Sequence, residues 1–187
     1  MAEPACSSPD FLLQAARELM AEAGYGAMSM RQLAGKVGLQ PGSLYHHVAS
    51  KQDLLVDVLH DIIERRVHAW RTGRFSRDLH GYLVFLLKRQ RTYPCEERVL
   101  CHEICHVEPA LRPWIDQKMD RLQAPLRQII ERGQRAGSFK CQDSHSSAEA
   151  ILALVQAADG MRRRRVPVDE TWIEAWVLQM SLALLSA

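Results

Sequence analysis

The stretch from Ser29 to Lys51 constrains the fold of this chain more than any other. Ser29 precedes a short apolar stripe at helical spacing, and Gln32 can complete a capping box with it. Gly38 follows the stripe, at a point where helices commonly end on a left-handed glycine. Pro41 comes soon after and suits the first turn of a new helix. The stretch therefore predicts two short helices joined by a tight turn.

The second of these helices has more polar positions than its packing requires. Leu44 and Val48 lie one helical turn apart and can pack inward together, which leaves the other side chains for the outer faces. A short helix held outward in this way is typical of proteins that place a helix in the DNA major groove. The outward positions are Pro41, Gly42, Ser43, Tyr45, His46 and His47.

A third helix is predicted to begin beside Lys51, with Ser50 as its N-cap and Asp53 in its first turn. A cation at a helix N-terminus is disfavoured by the helix dipole. A phosphate bound there would remove this cost, because the backbone N–H groups and the lysine would both contact it. The alternative is a solvated surface lysine.

These residues resemble a known family. The runs S-x-R-x-L-A-x-x-V-G-L (residues 29–39) and G-S-L-Y-x-H-V-x-S-K-x-x-L (residues 42–54) resemble the N-terminal domain of TetR-type transcriptional regulators. The resemblance extends from about Phe11 to Leu59. It implies a homodimer that binds a palindromic operator in double-stranded DNA, usually as a repressor that an unknown small-molecule effector releases.

The resemblance also implies which residues contact DNA. Tyr45 and Lys51 would hold phosphates, with Ser29 nearby. Arg31 would make a bidentate contact with a guanine, and such a contact contributes about 1–3 kcal/mol of discrimination. The full set of predicted DNA-contacting residues is Ser29, Arg31, Gln40, Pro41, Gly42, Ser43, Tyr45, His46 and Lys51.

Bulk charge does not mark this region as DNA-binding. The chain up to Val56 has four Lys and Arg against five Asp and Glu, and the whole chain has a formal net charge of +2. A basic domain is the usual signature of nucleic-acid binding. We therefore expect few phosphate contacts and a modest salt dependence for each monomer.

The chain has 187 residues, of which 47% are hydrophobic. Its sequence pattern predicts an all-α protein. Strand-like alternation never persists, and no apolar run approaches the roughly 20 residues of a membrane span. The acidic, polar N-terminus is no signal peptide, and five cysteines, an odd number, favour free thiols in the cytoplasm. We expect a three-helix helix-turn-helix DNA-binding domain over residues 1–56 and a helical ligand-binding and dimerisation domain over residues 57–187.

Apolar periodicity and helix-stop signals place the remaining helices. A first helix is expected from about Asp10 to Ala23, and a long helix from Lys51 to about Trp70. The later helices are predicted at about 77–92, 96–106, 109–136, 147–163 and 170–185.

The last predicted helix is apolar around nearly its whole circumference, so packing on one face cannot bury it. A symmetric copy of the chain is the simplest second partner, which predicts a four-helix bundle between subunits. The alternative is a buried core helix in a monomer. The predicted interface residues are Ile151, Leu154, Val155, Ala158, Trp172, Trp176 and Met180.

Four arginines, residues 162–165, end the first helix of this pair. We expect them to satisfy the helix C-terminus and to find carboxylate partners among Asp159, Asp169 and Glu170. A second nucleic-acid patch is the alternative.

The middle of the chain has aromatic and apolar residues at helical spacing, which suits either an apolar ligand pocket or ordinary core packing. Periodicity cannot separate the two. The candidate pocket residues are Tyr82, Phe85, Leu86, Tyr93, Cys101, His102, Cys105, Trp114, Met119 and Leu122.

Cys101, His102, Cys105 and His106 form two pairs at helical i, i+4 spacing and are weak candidates for metal ligands. One helix face cannot present all four to one ion, so we expect no metal and no cofactor. The alternative is a metal- or thiol-redox-responsive regulator that uses this segment. The motifs HExxH, a Gly-rich phosphate loop and a nucleophile elbow are absent from the sequence, so nothing indicates an enzyme.

Overall fold

The predicted all-α fold is confirmed. The computed structural model describes residues 9–163 and 169–186, which contain nine α-helices and one 3-10 turn, with no strand. The helices are α1 (Pro9–Ala23), α2 (Met30–Val37), α3 (Pro41–Leu44), α4 (Lys51–Thr72), α5 (Leu79–Thr92), α6 (Pro94–His102), α7 (Arg112–Arg135), α8 (Ser144–Arg162) and α9 (Glu170–Leu185), and the 3-10 turn is Ile104–His106. Among the described residues, no helix combines the length and hydropathy that a membrane span needs.

The prediction of a helix over residues 96–106 is wrong at its C-terminal end. The α-helix stops at His102, and a separate 3-10 turn follows. The carbonyl of Ile104 accepts a bond from Arg112 Nη1 (2.7 Å), and the Glu108 N–H donates to Gln52 Oε1 (3.4 Å). The Ile104 carbonyl also accepts the 3-10 bond from the Val107 N–H (3.3 Å), so neither group takes part in an α-helical i, i+4 bond. Cys101 and Cys105 do not share one continuous helix, and the i, i+4 argument for them fails.

Two other predicted starts are also shifted. The helix predicted from residue 109 begins at Arg112, and the helix predicted from residue 147 begins at Ser144. Asp143 explains the second shift, because its side chain accepts from the N–H groups of His145 and Ser146 and so caps the helix earlier.

Residue contacts divide the described chain into two compact units. The first contains residues 9–68 and 93–119, and the second contains residues 69–92, 120–163 and 169–186. The long helix α4 contributes to both. The expected division at residues 56 and 57 remains a proposal about where the DNA-binding part ends.

In the first unit, α6 is attached to α1 and α4 by ion pairs. Arg17 of α1 contacts Glu96 (2.9 Å) and Asp61 of α4 (3.2 Å), and Arg66 of α4 contacts Glu97 (3.1 Å). Glu96 and Glu97 lie in the first turn of α6, where the helix dipole also favours carboxylates. The buried apolar residues of this unit include Leu12, Ala16, Met20, Leu33, Leu44, Leu54, Leu55 and Ile62.

In the second unit, aromatic side chains pack around Trp70. Its ring lies 4.8 Å from Tyr82 in an edge-on arrangement and 5.3 Å from Phe85, measured between ring centroids. The same core receives buried side chains from α5, α7, α8 and α9, and Ile173, Val177 and Leu185 of α9 are fully buried in it. Such edge-on pairs add to the stabilisation from apolar burial alone.

Arg162 at the end of α8 pairs with Glu170, one of the carboxylates predicted for it. Its Nε and Nη2 donate to the two oxygens of Glu170 (2.8 and 3.1 Å), and its Nη1 donates to Gln90 Oε1 (2.7 Å). Arg163 pairs with Asp159. The other two arginines, residues 164 and 165, lie outside the described residues.

Candidate nucleic-acid interface

The predicted helix caps around α2 are confirmed. The Gln32 N–H donates to Ser29 Oγ (3.2 Å), and the Ser29 N–H donates to Gln32 Oε1 (2.8 Å), which completes the capping box. Gly38 ends the helix at φ 73°, in the left-handed region where a side chain is strained. Leu33, Ala34 and Val37 are buried, so α2 is fixed against the unit with Arg31 exposed.

The second helix is shorter than its sequence pattern predicts. It is α-helical only over Pro41–Leu44, and a turn follows in which the N–H groups of His47 and Val48 both donate to the Leu44 carbonyl (3.0 and 3.1 Å). Leu44 and Val48 are buried as expected. The Tyr45 side chain is 54% exposed, and His46 is exposed beside it. The segment therefore turns a polar edge outward on two apolar anchors.

Most predicted DNA-contacting residues lie on the surface of the first unit. Ser43 and Lys51 are half-buried. The exposed ones are Ser29, Arg31, Gln40, Pro41, Gly42, Tyr45 and His46.

Lys51 begins α4, and its side chain is already oriented. Its Nζ donates to the Gly26 carbonyl (3.2 Å) and lies 4.4 Å from the centre of the Tyr25 ring, a cation–π distance. An ammonium has three donors, so two remain for another acceptor. The predicted cap of this helix is confirmed, because the Asp53 N–H donates to Ser50 Oγ (3.0 Å).

Although the domain as a whole is not basic, the segment predicted to contact DNA has local positive charge. Residues 29–51 contain no Asp or Glu. Of their three cations, Lys36 is paired with Glu18 of α1 (2.9 Å), and the hydrogen bond from Lys36 lowers the pKa of the Glu18 carboxyl. Arg31 makes no ion pair with any described residue. Arg31 and Lys51 therefore supply positive charge on a surface that is otherwise neutral.

Sequence reasoning missed an open groove in the first unit, between α1, the turn after α3, and α4. Its volume is about 320 Å³. Burial raises the pKa of the Asp57 carboxyl at its edge, and the negative charge of Asp53 raises it further. The lining residues are Leu12, Leu13, His47, Val48, Asp57, His60, Asp61 and Glu64. None of them belongs to the predicted pocket set.

The candidate pocket residues are divided between the two units. Tyr82, Phe85, Leu86 and Leu122 are buried in the second unit, where the first three belong to its aromatic and apolar core. The others belong to the first unit, and its Tyr93 and Trp114 side chains are 43% and 39% exposed. The remaining members there are Cys101, His102, Cys105 and Met119.

The cysteine and histidine segment does not assemble a metal site. Within residues 9–163 and 169–186, no three His, Cys, Asp or Glu side chains are grouped to hold an ion. Cys101 and Cys105 are exposed thiols, and Cys105 Sγ donates to the His102 carbonyl (3.1 Å). His106 instead faces Glu103, with its Nε2 3.6 Å from the carboxylate.

The predicted interface residues divide into two groups. Ile151, Val155 and Ala158 lie in the core of the second unit. On α9, by contrast, the Trp172 side chain is 51% exposed and its ring stacks on Trp176 with centroids 6.3 Å apart. Leu154 and Met180 are half-buried, while Leu182 and Leu184, which were not predicted, are exposed.

Two family models match the chain. Residues 12–58 match the model for bacterial regulatory proteins of the tetR family, and residues 74–159 match that for the tetracyclin repressor-like C-terminal domain. Together the two matches span most of the chain.

Individual relatives agree with these matches. The HTH-type transcriptional repressor KstR2 of Mycolicibacterium smegmatis is 37% identical over 73 residues, which are 39% of this chain and only 33% of that repressor. A tetR-family regulatory protein from Rhodococcus RHA1 has the same fold, with a TM-score of 0.81 at 22% identity over 94% of this chain and 95% of that one.

A second similar structure is AibR in complex with isovaleryl coenzyme A and operator DNA, with a TM-score of 0.73 at 18% identity over 93% of this chain and 96% of that one. At this identity the likeness shows the fold alone. The capped α2, the outward polar edge after α3 and the two family-model matches together establish that this chain belongs to the TetR family of transcriptional regulators and contains its helix-turn-helix DNA-binding domain.

Proposed function

We propose that the protein is a homodimeric repressor that binds a palindromic operator and is released by a small-molecule effector. One observation carries the proposal: Leu44 and Val48 are buried while Tyr45 and His46 between them are exposed. A segment anchored in this way presents its polar edge to a partner, and the major groove admits an element of that size.

In this proposal the contacts divide into two kinds. Arg31 reads a base edge, because its guanidinium is exposed and without an ion pair among the described residues, so its fork of donors is available for a guanine. Tyr45 and Lys51 contact phosphates, which fix the position of the protein on the duplex without reading its sequence. The two helix-turn-helix domains of a dimer, here called its DNA-binding heads, therefore make a small number of phosphate contacts.

The exposed apolar side chains of α9 support a dimer. Trp172 is exposed and stacks on Trp176, and large apolar side chains that lie together on a surface commonly mark an interface. A second copy of α9 and α8 would bury them in a twofold bundle. A Trp172→Glu variant is then expected to sediment as a monomer, whereas Glu174→Gln, on the same helix, remains a dimer.

Release from the operator is proposed to follow the binding of a small-molecule effector. The family match to a tetracyclin repressor-like C-terminal domain, and the isovaleryl coenzyme A named for AibR, support a small-molecule ligand for this protein. Such a ligand acts only if it prefers the conformation that does not fit DNA, since equal affinity for both shifts nothing. The protein would act in the cytoplasm, without a membrane partner.

Selection of bound sequences from a random duplex library tests the DNA function. The expected result is a palindromic consensus whose half-sites lie about one or more helical turns apart, because two symmetric heads read successive major grooves. Equal recovery of all sequences would overturn the proposal. A consensus of a single half-site would retain DNA reading and overturn the dimer.

A further inference from the structure

We propose that Glu103 is a positioning residue for DNA binding, which holds the turn between α1 and α2 and thereby orients Lys51 for a phosphate. Glu103 lies far along the chain from the helix-turn-helix segment, in the bend between α6 and the 3-10 turn. The inference rests on the proposed function, because it takes Lys51 as a phosphate contact.

Glu103 is a buried carboxylate with a defined task. It is only 7% exposed, and its Oε2 accepts a hydrogen bond from the Tyr25 backbone N–H (3.0 Å). Charged side chains are rarely buried unless they are paired or hydrogen-bonded, so a carboxylate here needs partners. His106 Nε2 lies 3.6 Å from the same oxygen. The carboxylate thus spans from the α6 end to the turn of residues 24–26.

That turn holds both partners of the Lys51 side chain. The Tyr25 ring lies under the ammonium at 4.4 Å, and the next residue, Gly26, supplies the carbonyl that accepts from Lys51 Nζ at 3.2 Å. Glu103 fixes the Tyr25 backbone between these two groups. A shift of the turn would therefore move the ring and the carbonyl together, and the ammonium would lose its orientation.

A second set of contacts holds the first turn of α4 through Gln52, the residue after Lys51. The neighbouring Gln52 donates from Nε2 to the His106 carbonyl (2.7 Å) and accepts from the Glu108 N–H (3.4 Å). The His106 ring lies 5.5 Å from the Tyr25 ring. The segment from Glu103 to Glu108 therefore contacts both the turn before α2 and the first turn of α4.

Substitution of Glu103 and Lys51, singly and together, tests the inference in the full-length protein on one operator duplex. Glu103→Ala removes the acceptor for the Tyr25 N–H, and Glu103→Gln keeps an oxygen that can accept it. Glu97→Ala is the matched control, because Glu97 is an α6 carboxylate in the same unit that pairs with Arg66 (3.1 Å). Affinity is measured against salt concentration, and the active fraction of each variant is titrated.

Lys51→Ala should reduce the steepness of the salt dependence by about 0.9 per head and weaken binding roughly tenfold. Glu103→Ala should reproduce part of both losses, and the double variant should bind no worse than Lys51→Ala alone, because the two residues act through one contact. Glu103→Gln should retain wild-type affinity and salt slope. Glu97→Ala should lower stability and leave the salt slope unchanged.

The possible outcomes distinguish the positioning role of Glu103 from the phosphate contact of Lys51 on which it rests. An unchanged salt slope in Lys51→Ala would overturn the phosphate contact and the inference with it. A reduced slope in Lys51→Ala together with a wild-type slope in Glu103→Ala, or additive losses in the double variant, would overturn the inference alone. Glu103→Asp, which retracts the carboxylate by one methylene, carries the same expectations if Glu103→Ala does not fold.

Discussion

Arg17 Nη1 and Glu96 Oε1 are 2.9 Å apart in the interior of the first unit, where their side chains are only 10% and 5% exposed. This pair joins the first helix to a helix that comes after the whole DNA-reading segment in the chain. Asp61 shares the same arginine nitrogen at 3.2 Å, which extends the pair into α4. The frame that supports the reading segment is therefore completed by residues well outside it.

The buried pair predicts a large loss of stability when one partner is removed. Arg17→Ala removes the closest cation of the buried Glu96, while the half-exposed Arg65 keeps its Nε 3.5 Å from the same oxygen. Breaking a buried pair typically costs about 3–5 kcal/mol, and the contact with Arg65 places the expected loss at the lower end of that range. The half-exposed pair of Lys36 and Glu18 is the control, since Lys36→Ala should cost no more than about 1 kcal/mol. Chemical denaturation measures both. Equal losses in the two variants would show that Arg17 contributes no more than a surface charge.

Arg31 is predicted to determine operator specificity. Arg31→Ala should weaken binding to the selected operator by about 1–3 kcal/mol per half-site, and binding to unrelated duplex by much less, because the lost contact reads a base. Lys51→Ala should weaken both by similar factors, because a phosphate contact is independent of sequence. Competition binding with operator and scrambled duplex distinguishes the two patterns. A uniform loss in Arg31→Ala would contradict base reading.

Gly81 at the start of α5 is predicted to be intolerant of a methyl group. An added Cβ would lie 2.1 Å from the Ser76 carbonyl oxygen, a backbone atom that cannot rotate away. Alanine in a helix normally stabilises by up to about 1 kcal/mol relative to glycine. Gly81→Ala should nevertheless lower the free energy of unfolding, because the steric cost exceeds this gain.

Gly35 in α2 is the matched control for Gly81. An added Cβ there meets nothing within 4 Å, so Gly35→Ala should raise the free energy of unfolding by roughly 0.5–1 kcal/mol. Thermal unfolding of the two variants gives shifts of opposite sign. Stabilisation by Gly81→Ala would mean that the backbone relaxes around the new methyl group.

Local signals were sufficient to predict the DNA-reading segment from sequence. The capping box of Ser29 and Gln32, the left-handed Gly38 and the first-turn Pro41 each depend on neighbours within a few residues, so their patterns are visible in the sequence. The burial of Leu44 followed from its spacing in the same way.

Contacts between distant residues explain what the sequence did not predict. The bond from the Tyr25 N–H to Glu103 joins residues 78 positions apart, and no periodic pattern records it. The turn that follows the end of α6 at His102 is held by Gln52 and Arg112, whose side chains bond to the Glu108 N–H and the Ile104 carbonyl. The spacing of Cys101, His102, Cys105 and His106 therefore predicted i, i+4 neighbours on a helix that in fact ends at His102.

The last prediction concerns Glu170 and acid stability. Hydrogen bonds from Arg162 hold the pKa of the Glu170 carboxyl below its usual range, and the charges of Arg162 and Arg91 lower it further. A carboxyl whose pKa is lower in the folded state than in the unfolded state stabilises the fold above its unfolded pKa, about 4.3. That contribution is lost as the pH falls through the lowered pKa of the folded state.

Comparison of wild type with Glu170→Gln isolates this contribution, because all other titrating groups are common to both. The difference in their free energies of unfolding should be constant near neutral pH and should shrink as the pH falls below about 4. Arg162→Lys keeps a positive charge but loses the bidentate contact with Glu170. The free energy of unfolding of this variant should therefore fall less with decreasing pH than that of wild type. Denaturant titrations across this pH range provide the measurement. Parallel pH profiles for wild type and Glu170→Gln would mean that the carboxyl has the same affinity for a proton in the folded and unfolded chains.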